Sequence, residues 1–351
     1  MPIKTETQGR GRPAPAKGRT ESQRDASNAE RRRTELRLRA SRNLDRMTAI
    51  EIVRLMNRED RKVAGIVGRQ LRPIAKAVDA VVEAMSHGGR LFYVGAGSSG
   101  RMAVLDAAEC PPTFGIPHSQ MVALIAGGRR AVTGAVEGAE DAVANGARDL
   151  RRAGAKSGDV VVGIAASGTT PYVIGAMKFA RRRGAKTIVV TSNGRMPLAD
   201  LADILIAPEV GPEVLTGSTR LKAGTAQKMV LNMLSTAVMV RLGHVYENLM
   251  IDAIMTNQKL RERAVRMLVA ASGADASSAG HALRAAGHSV RVALVMLKLG
   301  IPARAARKRL AEARGNLRAA LGERFATRRK QLQEPQPAIA ANQGESRRTH
   351  G

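Results

Sequence analysis

The sequence predicts an α/β protein: a parallel sheet between two layers of helices, followed by a small helical C-terminal domain. Three observations carry that expectation. Short, continuously apolar runs of strand length recur between residues 91 and 208. Helical or loop stretches separate them, an order that gives a parallel sheet covered on both faces. From Thr219 onward the chain reads as helix.

In chain order, AIEIVRLMNREDRKVAGIVGRQLRPIAKAVDAVVEAM (49–85) repeats apolar residues every three to four positions and predicts a helix. LFYVG (91–95), MVALIAG (121–127), DVVVGIA (159–165) and TIVVTS (187–192) are each short enough for a buried strand. A fifth run, DILIAP (203–208), ends at Pro208. KAGTAQKMVLNMLSTAVMVRLG (222–243) predicts a long helix, and residues 252–325 predict shorter ones rich in Ala, Leu and Arg. Residues 1–43, rich in Arg, Pro, Gly and Ser, read as a disordered basic leader, and residues 326–351 as a disordered tail.

Apolar residues make up 44% of the 351 positions, enough for a sizeable core. Aromatics are only 2%, so that core must be built from Ala, Val, Leu, Ile and Met. The net charge of +27 invites a nucleic-acid reading. Its distribution weakens that reading, because more than half of the excess lies in residues 1–43 and 300–351. Few rings are present to stack on bases, so at most the basic ends bind nucleic acid weakly. Cys110 is the only cysteine, which excludes an intrachain disulfide. The N-terminus lacks the apolar stretch of a secretory signal, and no run is long enough for a membrane span. The expectation is a cytoplasmic protein.

Two loops carry the strongest chemical signal. GAGSSG (95–100) follows a strand and opens a helix, as a dinucleotide fingerprint does. That fingerprint wants an acid at the end of the next strand, where this chain has AGGRR (126–130); a 2′-phosphate on Arg129 and Arg130 stays open. IAASGTTPYVIGAM (164–177) repeats the build after another strand. Helix N-termini offer unpaired N–H groups and a positive dipole end. Hydroxyls of Ser98, Ser99, Ser167, Thr169 and Thr170 add donors. Two such loops can clasp one phosphomonoester without metal; the alternative is that these residues only cap helices.

A third cluster, GPEVLTGSTRLKAGTAQK (211–228), places Glu213 and Ser218 ahead of a helix and offers Arg220 and Lys222 to an anion. Its alternative is a capped helix with solvated basic residues. Glu109 lies in DAAECPPTFG, and Glu137, Glu140 and Asp141 in AVEGAEDA. An acid beside a sugar-phosphate pocket can move protons, and partial burial tunes its pKa for the task. A thiol nucleophile at Cys110 lacks a nearby His to activate it. The His residues show no metal-ligand spacing, so neither metal nor other cofactor is expected.

These residues resemble the N-acetylmuramic acid 6-phosphate etherases, bacterial enzymes of cell-wall sugar recycling built on the sugar isomerase (SIS) domain. The matching blocks are GAGSSGRMAVLDAAECPPTFGIPH (95–118), AVEGAEDA (135–142), VVGIAASGTTPYVIGAMKFAR (161–181), VGPEVLTGSTRLKAGTAQKMVLNMLSTAVM (210–239) and YENLMIDAIMTNQKLRERAVRM (246–267). They keep the family's order and cover most of residues 44–325.

The resemblance implies a three-layer SIS domain over 44–250, a helical domain over 251–325, and a homodimer with the site near the interface. It implies a lyase that opens the sugar ring, removes the proton at carbon 2, expels D-lactate from carbon 3 and adds water. Glu109 matches the family's acid and Glu140 its second glutamate, the base. Glu109, just past the first loop, is then expected to reach the ether oxygen while the phosphate is anchored, with burial keeping its carboxyl protonated. Ser98, Ser99, Ser167, Thr169, Thr170, Glu213, Ser218 and Lys222 are the expected substrate and phosphate contacts. The family usually has an arginine where this chain has Thr169, which removes one cationic contact. The competing reading is a non-catalytic SIS regulator that binds a sugar phosphate; such a sensor needs neither Glu109 nor Glu140.

Overall fold

The structure is a computed structural model and describes residues 33–255 and 257–323. The expected leader up to residue 32, and the tail from residue 324, lie outside the described residues. The leader's boundary at residue 43 needs correction. Residues 33–46 form three short 3-10 turns, and Thr34 is fully buried. The Arg33 N–H donates to Asn193 Oδ1 at 2.9 Å, and Asn193 Nδ2 donates to Thr34 Oγ1 at 3.2 Å.

Five strands form one parallel sheet in the order β2-β1-β3-β4-β5. They are β1 (Leu91–Gly95), β2 (Met121–Ile125), β3 (Val160–Ile164), β4 (Lys186–Val190) and β5 (Ile204–Ile206). Each begins within one residue of its expected start; β1 also ends where expected, and β2–β5 end one or two residues sooner, where small, hydroxyl or proline residues turn into loops. Side chains alternate across the pleat. Leu91 and Tyr93 face one helical layer, and Phe92 and Val94 face the other.

The helix expected over 49–85 is two helices, α1 (Ala49–Gly68) and α2 (Leu71–Ser86). Pro73 explains the break: it has no N–H to continue the ladder, and it sits where a first helical turn tolerates it. Thr48 and Glu51 close a capping box at the start of α1. The remaining helices of the sandwich are α3 (Gly97–Phe114), α4 (Arg130–Thr133), α5 (Val143–Arg152), α6 (Pro171–Arg182) and α7 (Lys222–Arg241). Helices α1, α2, α3 and α7 cover one face of the sheet, and α5 and α6 the other. Beyond them α8 (Gln258–Ser272), α9 (Ala276–Ala285), α10 (Val290–Leu299), α11 (Ala303–Glu312) and α12 (Leu317–Leu321) surround a core of their own, which also takes in Tyr246 and Ile251. No described helix is long and apolar enough to cross a membrane.

Helices α5 and α6 touch backbone to backbone. A Cβ added at Gly146 would lie 1.9 Å from the Tyr172 carbonyl oxygen, and one at Gly175 would lie 1.9 Å from that of Val143. Replacing a helical glycine by alanine ordinarily gains up to about 1 kcal/mol. Here Gly175→Ala is expected to lose about 1–3 kcal/mol through overpacking, read as a lower urea midpoint. An unchanged or raised midpoint would show that the two helices can separate freely.

Candidate active site

The chain order places one crevice. From β1 the chain crosses to β2 on one side and then returns to β3 on the other, so the connections diverge above the β1–β3 pair. Ligands of open α/β sheets bind at such a switch point, outside the carboxyl ends of the strands. The two hydroxyl-rich loops stand here, on adjacent strands.

In the first loop, Gly95 ends β1 and α3 starts two residues later. The glycines let helix and sheet pack closely. A Cβ on Gly95 would come within 2.7 Å of the Gly100 nitrogen, and one on Gly100 within 2.5 Å of Ile125 Cγ1. The N-cap is Ala96, so no side chain covers the first N–H groups of α3. Ser98 is half-buried and Ser99 buried in that first turn.

In the second loop, Ser167 Oγ accepts from the Thr169 N–H at 3.2 Å and from Thr169 Oγ1 at 3.1 Å. Gly168 holds φ +72°, and a Cβ there would meet Met196 Cβ at 2.7 Å. Thr170 is the N-cap of α6, yet its side chain makes no cap bond. The capping alternative for these hydroxyls therefore fails at both helices. Two uncapped, positively polarised N-termini flank the crevice, with hydroxyls beside them.

The backbone at Glu140 lies beside this crevice. Its loop (126–142) leaves β2 at the carboxyl edge, and its backbone carbonyl accepts from the Tyr172 N–H, in the first turn of α6, at 2.9 Å. The Glu140 side chain is exposed.

Glu109 does not join it. Residues 97–114 are one continuous helix, Pro111 and Pro112 included. Ten residues separate Ser99 from Glu109, about 15 Å along the axis. Because β1 and β2 run parallel, α3 carries the chain from the carboxyl edge of the sheet back toward the edge where β2 begins, away from the crevice. Glu109 therefore stands at the far end of α3 from the loop, and the expected burial is corrected, since Glu109 is exposed. It lines a separate cavity of about 490 Å³ with Pro112, Thr113, His118, Ile254 and Arg263.

Two further expectations are overturned. The Glu213 carboxylate, fully buried, accepts from the N–H groups of Lys222 and Ala223 at 3.0 Å each and so caps α7. Lys222 is buried too, and its ammonium donates to Glu59 Oε2 on α1 at 2.8 Å. Both charges are engaged inside the protein, where a phosphate cannot reach them. Burial works against ionisation of Glu59, but Lys222 and Lys62 outweigh it and hold its pKa low. Ser218 is half-buried in the turn before α7, and Arg220 is exposed.

The sequence reading assigned no role to Asp106. Its buried carboxylate accepts from Tyr93 Oη (3.0 Å, β1), Asn232 Nδ2 (2.8 Å) and Ser235 Oγ (3.0 Å), the last two on α7. Burial pushes its pKa up, and the three donors and Lys228 do not cancel that. The neighbouring Cys110 is buried, and burial together with Asp106 raises its thiol to about 12, which makes it inert as a nucleophile at neutral pH. Among the described residues, no group of three or more His, Cys, Asp or Glu side chains could hold a metal ion.

Comparison with known proteins adds the family. Residues 73–181 match the glucokinase regulatory protein N-terminal SIS domain, and residues 141–237 match the SIS domain. Over 288 residues the chain is 51% identical to the N-acetylmuramic acid 6-phosphate etherase of Pectobacterium atrosepticum, a match spanning 82% of this chain and 95% of the relative. For the Serratia proteamaculans etherase the identity is 53% over 288 residues, spanning 82% and 97%. The chain belongs to the N-acetylmuramic acid 6-phosphate etherase family. Among solved structures it is similar to a phosphoheptose isomerase from Francisella tularensis, at 20% identity and TM-score 0.43 over 55% of this chain and 98% of that one. It is also similar to the sugar isomerase domain of the RpiR transcription factor from Sphaerobacter thermophilus, at 20% identity and TM-score 0.38 over 54% and 89%.

Within this etherase-family fold, the inward placement of Lys222 is testable. Removing one partner of a buried pair ordinarily costs up to about 3–5 kcal/mol, because the other charge is stranded, a loss that Lys62 beside Glu59 moderates here. Lys222→Met alone is expected to lose up to that much, and Lys222→Met with Glu59→Leu to recover most of it. A double variant no more stable than the single one would return Lys222 to the list of substrate contacts.

Asp106 gives a pH test. Its folded pKa lies above the ordinary value of 3.8, so the protonated form favours folding and ionisation costs stability. As pH rises above the ordinary carboxylate value of 3.8, the parent should therefore lose stability relative to Asp106→Asn, in urea titrations of both proteins. A difference that stays flat with pH would mean that Asp106 is not perturbed.

Proposed function

We propose that this chain cleaves the D-lactyl ether of N-acetylmuramic acid 6-phosphate, giving N-acetylglucosamine 6-phosphate and D-lactate. The observation that carries the reading is the etherase name borne by relatives half identical over four-fifths of the chain. The crevice above β1 and β3 supports it independently. It offers a dianion two uncapped helix N-termini and the hydroxyls of Ser98, Ser99, Ser167, Thr169 and Thr170.

The reaction runs on the open-chain aldehyde, which acidifies the hydrogen on carbon 2. Glu140 takes that proton. The carbon 3–oxygen bond then breaks, and the departing lactate oxygen takes a proton from Glu109. Water adds across the resulting carbon 2–carbon 3 double bond, its hydroxyl going to carbon 3, and completes the product. An ether oxygen is a poor leaving group, so the acid has to be protonated at neutral pH. The ordinary pKa of a glutamate is about 4.3, and only removal from water or a neighbouring negative charge raises it.

Glu109 is exposed in one chain and lies about 15 Å down the helix from Ser99. Both problems have one solution, a homodimer. A second subunit brings its own Glu109 to the crevice of the first and covers it there. Each site then takes Ser99, Ser167 and Glu140 from one subunit and Glu109 from the other. A purely sugar-binding regulator would need neither carboxylate.

Complementation between variants tests this arrangement. Glu109→Gln and Glu140→Gln are each expected to reduce D-lactate release from N-acetylmuramic acid 6-phosphate by about a hundredfold or more, the low end for general acid–base catalysis. Subunits of the two variants, mixed and exchanged, should recover activity, because one of the two sites in each mixed dimer holds both intact carboxylates. Mixed dimers as inactive as their parents would place Glu109 and Glu140 on one subunit. Ser167→Ala should raise KM in proportion to a loss of about 1–3 kcal/mol, a hydrogen bond to a charged group.

A further inference from the structure

The loop that carries Glu140 is tied down at both ends, and one side chain makes the first tie. Arg101 lies two residues beyond Ser99 on α3 and is half-buried. Its Nε donates to the carbonyls of Ala131 and Val132 at 3.1 Å each, and its Nη2 to the carbonyl of Gly134 at 2.8 Å. Those carbonyls belong to α4 and the residue after it. So short a helix leaves its last carbonyls without intrahelical partners, and the guanidinium supplies them. From Gly134 the chain runs through AVEGA to Glu140, whose carbonyl meets the Tyr172 N–H on α6. Between these ties the described backbone hydrogen bonds are local, Ala139 to Val136 and Asp141 to Gly138.

We infer that Arg101 is a positioning residue that sets the place of Glu140 over the crevice. The inference rests on Glu140 acting in the reaction. The tie links the helix whose N-terminus faces the phosphate to the loop that brings the carboxylate. Tyr172 links the same loop to the second anion-facing helix. The anchor for the phosphate and the group that moves the proton are thereby fixed to one frame. Three of the guanidinium's contacts go to backbone carbonyls, so its role is separable from phosphate binding. A lysine cannot replace it, because one ammonium cannot span three carbonyls in the plane a guanidinium fork covers.

The test compares Arg101→Ala, Arg101→Lys and Glu140→Gln in the full chain, with D-lactate release as the readout and thermal midpoints to confirm folding. A displacement of about 1 Å can cost a hundredfold in rate, so Arg101→Ala should lower kcat by at least about tenfold. KM should stay within about threefold, since the phosphate contacts are untouched. Guanidinium chloride at millimolar concentration should restore part of the kcat of Arg101→Ala and none of Glu140→Gln. Arg101→Lys should stay impaired, and it carries the test if Arg101→Ala does not fold. Parent-level kcat in a folded Arg101 variant overturns the inference. So does a loss confined to KM, which would make Arg101 a substrate contact. If Glu140→Gln turns over like the parent, Glu140 is no catalyst and Arg101 has nothing to position. An inactive Glu140→Gln beside a fully active Arg101→Ala sinks the positioning role alone.

Discussion

One buried carboxylate holds together the half of the molecule that faces α7. Asp106 is bonded at once to β1 through Tyr93 and to α7 through Asn232 and Ser235, while it rides on α3 itself. Burying a charge is costly unless hydrogen bonds replace water, and three donors do so here. None of the three is cationic, which is why the carboxyl remains harder to ionise than in water. The consequence reaches the site. The N-terminus of α3 can present its N–H groups to an anion only if the helix holds a fixed angle to the sheet, and the Asp106 cluster sets that angle about two turns further down.

The sandwich was legible in the sequence because burial on both faces leaves a strong trace. LFYVG and VVVGI read as strands since a strand covered by helices has no polar side to show. The crevice was legible for a related reason. A strand that passes into a helix within a few residues, beside another strand, must use small residues, and Gly95 and Gly100 leave no room for a Cβ. Those glycines would be required with or without a ligand. The hydroxyls around them, free of capping duty, are what point to phosphate.

Partners distant in the chain were not legible. Glu213 and Lys222 look like substrate contacts when the 211–228 block is read alone, because charged residues before a helix suit an anion. Their roles are settled by Glu59, 163 residues from Lys222, and by the start of α7 itself. Asp106 was overlooked on similar grounds. It shares the inward stripe of α3 with Ala103, Ala107 and Cys110, where an acid is out of place unless donors meet it, and two of its donors lie more than 120 residues away. Pro111 and Pro112 misled in the opposite direction. Two consecutive prolines read as a loop, whereas they sit in the last turn of α3, which closes at Gly115 in the left-handed conformation.

That last turn decides how the site can work. An acid for an ether oxygen has to be shielded, yet the helix that carries Glu109 delivers it to the surface, beside His118 and Arg263. In the proposed arrangement that shielding is supplied from outside the chain, by substrate and a second subunit closing over the exposed end of the helix. The same closure solves the distance from Ser99. Exposure and separation are thus two aspects of one constraint, a rigid helix that opens beside the crevice at its start and carries Glu109 near its end.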